Sequence, residues 1–265
     1  MIRSIQHIIL LLFFLPALYA YSQIIIVGEM THEKKVMQGE THNGTITIHN
    51  KGKEIKNVRV YQTDYSFSAD GTSQYGEPGS LDRSNAEWII FSPKQATVPS
   101  QEDVNVNYHI KVPDDSTLLG SYWSMLMVEE IPEITPEKSE GNVAIRVVMR
   151  YGIQIVTNVG QASIGKLVFS DPKLIKEEEK RNLQIDIRNV GERWLRPNVW
   201  VELYSQEGQS LGTFKGNDKR TYPGTSIRVT VDLSTVQQGT YKALVVADCG
   251  GDDLFGASYT LEIVQ

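Results

Sequence analysis

Between Val143 and Val156 every second residue is apolar: Val143, Ile145, Val147, Met149, Tyr151, Ile153 and Ile155. The residues between them, Ala144, Arg146, Val148, Arg150, Gly152, Gln154 and Val156, are mixed. Successive side chains of an extended strand point to opposite faces, so this pattern predicts a β-strand with one continuous apolar face. Thirteen steps of about 3.3 Å would span about 43 Å, against a common strand length of about five or six residues. A strand that long either crosses a domain boundary or offers a surface to something outside its own core.

Shorter alternations fill most of the chain, separated by clusters of Gly, Pro, Asn, Asp and Ser. No stretch carries a convincing amphipathic helical period. The nearest, Leu174 to Leu183, is a charge run (Lys176-Glu177-Glu178-Glu179-Lys180-Arg181) and reads as a loop linking strands.

The pattern occurs twice. Ile46-Thr47-Ile48-His49-Asn50-Lys51-Gly52 is echoed by Ile185-Asp186-Ile187-Arg188-Asn189-Val190-Gly191, each a strand ending in an Asn-x-Gly turn. Gly120-Ser121-Tyr122-Trp123 and the apolar run after it are echoed by Gly239-Thr240-Tyr241-Lys242 and its own apolar run. Two landmarks in the same order point to two related β-sandwiches. Tyr122 and Tyr241 fit the tyrosine corner of such sandwiches, whose hydroxyl satisfies a backbone group upstream. The second copy is about twenty residues shorter between the landmarks. The surplus in the first copy lies in Asp64 to Pro93, which carries Tyr65, Phe67, Tyr75 and Trp88. A loop this long and aromatic is expected to be a folded excursion, half core and half exposed surface.

The first residues read as an export signal. Met1-Ile2-Arg3 gives a positive start, and the apolar core Ile8 to Leu15 is too short to span a bilayer. Ala20-Tyr21-Ser22 fits a cleavage site that leaves Gln23 as the new N-terminus, with cleavage after Ala20 the alternative. Losing Arg3 takes the net charge from −6 to −7. No basic surplus remains for nucleic acid or an anionic membrane. Cys249 is the single cysteine, so an exported chain of this kind has no internal disulfide and rests on its cores.

Catalytic chemistry has little footing. None of His7, His32, His42, His49 and His109 belongs to a recognisable nucleophile motif, and no Gly-x-Ser-x-Gly, His-Glu-x-x-His or phosphate-binding loop occurs. Asp248, Asp252 and Asp253 surround Cys249-Gly250-Gly251, but their spacing is not that of a calcium loop. A hairpin turn with glycines at positive φ accounts for them better, and Cys249 reads as a small turn or core residue. No cofactor or metal is expected. Tyr65, Tyr75 and Trp123 are the candidates for a surface contact. Trp88 sits in an apolar run and is expected to be buried, and Trp200 alternates with Val199 and Val201 and faces away from them.

The run Ala144 to Ile155 resembles the last strand of the N-terminal domain in PapD-like periplasmic pilus chaperones. That resemblance implies two immunoglobulin-like sandwiches and partner binding by β-strand pairing. It implies that Ile145, Val147 and Met149 are the apolar donor positions, and that the Pro-containing stretch Glu129 to Asn142 is the loop before the donor strand. The family grips its partner's C-terminal carboxylate with an Arg and a Lys. Here the Lys position is Gln154, and Ile24 to Met30 carries no Arg. Arg150 and Gln154 are the candidates for anchoring a partner, although a neutral amide cannot replace a charge-assisted bond. The chain also resembles exported two-sandwich proteins of bacterial surfaces, through Asp64-Tyr65-Ser66-Phe67-Ser68-Ala69-Asp70-Gly71 and Tyr122-Trp123.

The expectation is an all-β chain of two tandem immunoglobulin-like β-sandwiches: a signal peptide over 1–22, an N-terminal sandwich over 23–158 and a C-terminal one over 159–265. Its function reads as a non-enzymatic assembly factor in the periplasm or at the cell surface. Its partner is another exported protein, a surface or fibre subunit, with no nucleic acid and no membrane insertion after cleavage. The alternative is a surface module for peptidoglycan, glycan or matrix.

Overall fold

The computed structural model describes residues 23–132, 148–161, 163–177 and 180–264. The first ten strands are β1 (Ile24–Val27), β2 (Thr31–Val36), β3 (Thr41–Asn50), β4 (Lys56–Phe67), β5 (Ser73–Gly76), β6 (Ile89–Ser92), β7 (Gln95–Val98), β8 (Asp103–Lys111), β9 (Gly120–Glu130) and β10 (Arg150–Val159). They form two sheets. One is ordered β1-β3-β8-β6, and the other β2-β10-β9-β4, with β5 and β7 both pairing β4. Strict alternation dictates which side faces in. On β8, Val106, Tyr108 and Ile110 are buried, while Asn105, Asn107 and His109 are exposed. Ile46, Ile48, Val106 and Ile110 of one sheet meet Val58, Leu126, Val128, Ile153 and Ile155 of the other in a single core. Each such side chain contributes about 1.5–3 kcal/mol on burial.

The chain's first extended stretch changes sheets. β1 pairs antiparallel with β3, whereas β2 pairs parallel with β10 in the opposite sheet. Gly28, at φ +98°, lies between them, in backbone space that L side chains rarely adopt.

The second half repeats the plan with β11 (Leu167–Phe169), β12 (Lys173–Glu177), β13 (Lys180–Asn189), β14 (Asn198–Tyr204), β15 (Ser210–Lys215), β16 (Ser226–Asp232), β17 (Gly239–Asp248) and β18 (Leu254–Ile263). β13 is flanked by β11 and β12 and by β16, and the facing sheet is ordered β15-β14-β17-β18. Its core joins Leu183, Ile185, Ile187, Val229 and Val231 to Val199, Val201, Leu203 and Val245. The described chain is thus two immunoglobulin-like β-sandwiches in tandem, each with its own core.

The repeat extends to hydrogen bonds. Asn50 Oδ1 accepts from the Gly52 amide, and its Nδ2 donates to the Glu54 and Val98 carbonyls. Asn189 does the same with the Gly191 amide and the Arg193 and Thr221 carbonyls. Tyr241 makes a tyrosine corner, its hydroxyl donating to the Gln237 carbonyl at 2.9 Å. Tyr122 instead lays its ring against Trp88, 4.8 Å between centroids, with the Arg83 guanidinium over it.

The excursion is folded around Asp64, which is fully buried and accepts from the Ser84 and Ser80 hydroxyls and the Leu81 amide. Asn85, Ala86 and Ile89 are buried, while Gly71 to Gly79 lie on the surface and Tyr75 is 60% exposed. The glycine turn expected after Asp248 is present, with Gly250 and Gly251 at positive φ and Cys249 N–H donating to the Asp253 carbonyl. Burial lifts the Cys249 thiol pKa to about 11, and Asp253 adds to the shift.

Two sequence readings need correction. The charged run after Lys173 is no loop but a hairpin, because β12 pairs with β13 from Lys173↔Gln184 to Glu177↔Lys180. Solvated side chains do not prevent an edge strand from closing a ladder. Among the described residues, the long stripe is strand from Arg150 and continues to Val159. Val148 and Met149 lie ahead of it, since the ladder with β9 ends at Arg150↔Glu129. Residues 143–147 lie outside the described residues.

Candidate functional site

β10 carries the predicted apolar stripe, and the structure divides it. Ile153 and Ile155 are fully buried in the first core, and Tyr151 donates its hydroxyl to the Ile24 carbonyl at 2.7 Å. Met149, two residues upstream, is 41% exposed. The apolar face therefore continues beyond the core that uses it.

The backbone of β10 is equally divided. β9 accompanies it from Arg150 to Val159, but on the other side β2 accompanies only Gln154 to Val159. The Gln154 amide donates to the Met30 carbonyl at 2.9 Å. Alternation then turns the amides and carbonyls of Gly152 and Arg150 to that same side, ahead of the point where β2 begins to pair. The sheet switch at Gly28 creates this gap by taking β1 away to the other sheet.

The even-numbered residues of β10 lie on the sheet face turned toward the second sandwich. In register across that face run Arg150, Glu129 and Arg59, then Gly152, Met127 and Tyr61, then Gln154, Met125 and Thr63. A Cβ on Gly152 would come within 2.5 Å of Met125 Cε and 3.1 Å of Met127 Sδ, so any larger residue would have to push these flexible thioethers aside. Glu129 is nearly buried and takes bonds from Arg59 Nη2 at 2.8 Å, Arg150 Nε at 3.0 Å and the Tyr61 hydroxyl at 3.0 Å. Burial alone would raise its pKa, but these three donors outweigh it and hold the carboxyl below its ordinary value.

Further along the face, the two sandwiches meet. Trp123, Val156 and Tyr222 form a separate buried cluster, with Phe67 and Trp194 packed against it. The Trp123 and Tyr222 rings stack at 4.7 Å. The Tyr222 hydroxyl donates to Gln154 Oε1 at 2.7 Å, and Trp123 Nε1 donates to the Tyr65 carbonyl at 2.7 Å. Glu33 Oε1 accepts from Trp194 Nε1 at 2.8 Å and from Asn158 Nδ2 at 2.7 Å, and Arg220 lies over the Trp194 ring. The Ser121 amide donates to the Glu192 carbonyl at 2.8 Å. Gly120 permits that approach, since a Cβ there would sit 2.0 Å from the Glu192 carbonyl oxygen. Beside this junction lies a cleft of about 790 Å³, lined by Glu33, Lys35 and Asn158 of the first sandwich and Arg193, Trp194 and Asp253 of the second.

The predicted residues thus fall in different places. Ile145 and Val147 lie outside the described residues, and Met149 borders the start of β10, ahead of the residues that pair with β2. Arg150 is bound to Glu129, and Gln154 to Tyr222, so both are engaged within the protein. Tyr65 and Tyr75 pair across β4 and β5 with their rings 5.3 Å apart. Trp123 is not a surface contact: it is 2% exposed because the second sandwich covers it. Sequence reasoning missed Tyr222, Glu33 and Arg220, and the only signal at Tyr222 was an aromatic placed in a Pro-Gly turn. Among the described residues, no group of three or more His, Cys, Asp or Glu side chains is placed to hold a metal ion, and no helix is long and apolar enough to cross a membrane.

No family model and no curated protein matches this chain. The similar solved structures include fimbrial and pilus chaperones. One is a chain of the chaperone–tip adhesin complex of CFA/I fimbriae biogenesis, at 12% identity and TM-score 0.49, covering 90% of this chain and 98% of that one. Another is the class 5 fimbriae chaperone CfaA, at 14% identity and TM-score 0.48, covering 91% and 99%. A third comes from the CsuC–CsuE chaperone–tip adhesion subunit pre-assembly complex of Acinetobacter baumannii, at 17% identity and TM-score 0.46, covering 89% and 98%.

Proposed function

We propose that this protein is an exported, non-enzymatic assembly factor that binds another exported protein by accepting one of its strands alongside the start of β10. The observation that carries this reading is the offset between the two sides of β10, where β2 begins to pair only at Gln154. A partner strand laid beside Arg150 and Gly152 would complete the ladder ahead of β2, and Met149 would extend the apolar face toward it. Ile145 and Val147 continue the same stripe in sequence and are assigned the same role. Arg150 is paired with Glu129, and Gln154 is neutral and bonded to Tyr222, so backbone pairing and apolar contact carry the proposed binding. The chain passes from one sandwich to the other at the end of β10, and residues 1–22 direct export.

The test is site-specific photo-crosslinking in expressing cells, with a benzophenone side chain at Met149 or at Ile90. Ile90 is 74% exposed on the other sheet and serves as the control. A discrete adduct with an exported protein from position 149 alone is expected, and Met149→Glu should remove the partner from the purified protein. Identical patterns from both positions, or undiminished partner on the Met149→Glu variant, would overturn the reading.

One observation favours a second reading, a surface module for glycan or matrix. Tyr75 is 60% exposed beside Tyr65, an arrangement suited to stacking on a sugar. Binding to purified cell wall that is lost in Tyr75→Ala would support it, and an absence of binding would remove it.

A further inference from the structure

Most sheet edges in the described residues are protected against pairing with another chain. β2 carries Glu33, Lys34 and Lys35, and β12 carries Lys173 and Lys176. β15 meets β14 with an irregular register and ends on Lys215. β1, β5, β6 and β7 have four residues each, and β11 has three. Charge, brevity and irregularity are the usual protections of an edge.

β18 has none of them. It pairs with β17 over ten unbroken positions, ends its sheet on the other side among the described residues, and contains no proline. From Leu254 to Leu261 it carries no charge. The Cys249 amide donates to the Asp253 carbonyl at 2.9 Å, so alternation assigns the backbone groups of Phe255, Ala257, Tyr259 and Leu261 to β17. Leu254, Gly256, Ser258, Thr260 and Glu262 then turn theirs outward, and the side chains of all five are exposed.

We propose that this edge pairs with itself: β18 of one copy lies antiparallel to β18 of a second copy, about a two-fold axis at Ser258. Self-complementarity selects this occupant. With Ser258 opposite Ser258 of the second copy, Gly256 faces Thr260 and Leu254 faces Glu262. On the inner side Ala257 faces Tyr259, and Phe255 faces Leu261. Bulky residues meet small ones at Tyr259 and Thr260, and the only charge, Glu262, meets the methyls of Leu254 rather than another carboxylate. Leu254 is 64% exposed in one copy and is covered in the pair. A two-fold interface needs such a self-complementary patch. The product is one eight-stranded sheet running through both second sandwiches.

The inference does not depend on strand acceptance at β10, which belongs to the other sandwich. Sedimentation of the purified protein tests it. The wild type is expected at twice the monomer mass, and Met149→Glu should leave that mass unchanged. Ser258→Lys, which sets two ammonium groups opposite each other on an exposed face, should halve it while the circular dichroism spectrum stays the same. A Ser258→Cys variant in a Cys249→Ser background should form a disulfide-linked dimer under mild oxidation. A monomeric wild type overturns the proposal, as does a dimer that neither resists formation with Ser258→Lys nor cross-links through Ser258→Cys. A foreign chain bound at β18 of a monomer overturns it too.

Discussion

The hydroxyl of Tyr222, in the second sandwich, donates to Oε1 of Gln154, in the strand that closes the first, at 2.7 Å. The same tyrosine stacks its ring on Trp123, so one buried side chain ties β10 and β9 to the second core's surroundings. Burial raises the Tyr222 pKa, so the hydroxyl stays a donor across the working pH range. Tyr222→Phe keeps the stack and loses the bond, at a cost of about 1 kcal/mol in chemical denaturation. Trp123→Ala removes the stacking partner and leaves a cavity, at a cost of about 3–5 kcal/mol. It should also separate one unfolding transition into two, because each sandwich has its own core. A single unshifted transition in the alanine variant would mean that the junction contributes nothing to cooperativity.

Asn50 and Asn189 hold equivalent turns in separate cores, each making one accepted and two donated bonds to backbone. Both are fully buried, so alanine at either position leaves a buried amide and two carbonyls without their partner. Each single variant should lose on the order of 1–3 kcal/mol. The double variant should lose the sum, because distant sites without shared contacts behave additively. Urea titration followed by tryptophan fluorescence gives both numbers. A double variant no worse than either single one would show that the two turns do not support independent units.

What the sequence reveals and what it hides follow from the range of the interactions. Period-two alternation is local, so Val199, Val201 and Leu203 could be placed in a core and Trp200 outside it from spacing alone. The Asn-x-Gly echo is local as well, and it exposed the duplication. The junction is different. Trp194 and Glu33 are 161 residues apart in the chain, and nothing near either residue marks it as the other's partner. Trp123 therefore read as a candidate surface aromatic until the second sandwich covered it. The start of the β10 ladder at Arg150 is equally hidden, because it depends on how far β9 pairs alongside it and not on β10's own residues alone.

His42 has an unusual surrounding for a titrating group. Both ring nitrogens are buried without a hydrogen-bond partner among the described residues. Burial lowers its pKa below the ordinary 6.5, and the charges of Lys34 on β2 and His109 on β8 lower it further. The unfolded chain therefore binds this proton more readily than the folded one, so the stability that the neutral ring permits is present above about pH 6.5 and lost as the pH falls through the lower folded value. His42→Leu should be at least as stable at pH 7 and should lose less stability between pH 6.5 and 5. Thermal melts at half-unit pH steps, compared between the two proteins, isolate this contribution from the other histidines. Parallel curves would show that His42 does not titrate on unfolding.

Glu129 sets the charge at the start of β10. It carries one negative charge between two arginines that are each more than half exposed, so the cluster is positive overall. Its bonds fix the Arg150 guanidinium and, through the Arg150↔Glu129 register, the first residue of the strand. Glu129→Gln leaves Arg59 and Arg150 facing each other without a counter-charge and should cost on the order of 1–3 kcal/mol. The loss depends on pH in a defined direction. The folded pKa lies below the ordinary 4.5, so the carboxylate's contribution is fully present above that value and disappears as the pH falls through the folded one. The wild type and the glutamine variant should therefore differ most at neutral pH and converge in acid. Amide hydrogen exchange adds a local measurement: the Tyr151 and Ile153 amides, which pair with β9, should exchange faster in the variant at neutral pH. Unchanged exchange alongside a lowered melting temperature would place Glu129's contribution in the sheet as a whole rather than at the leading end of β10.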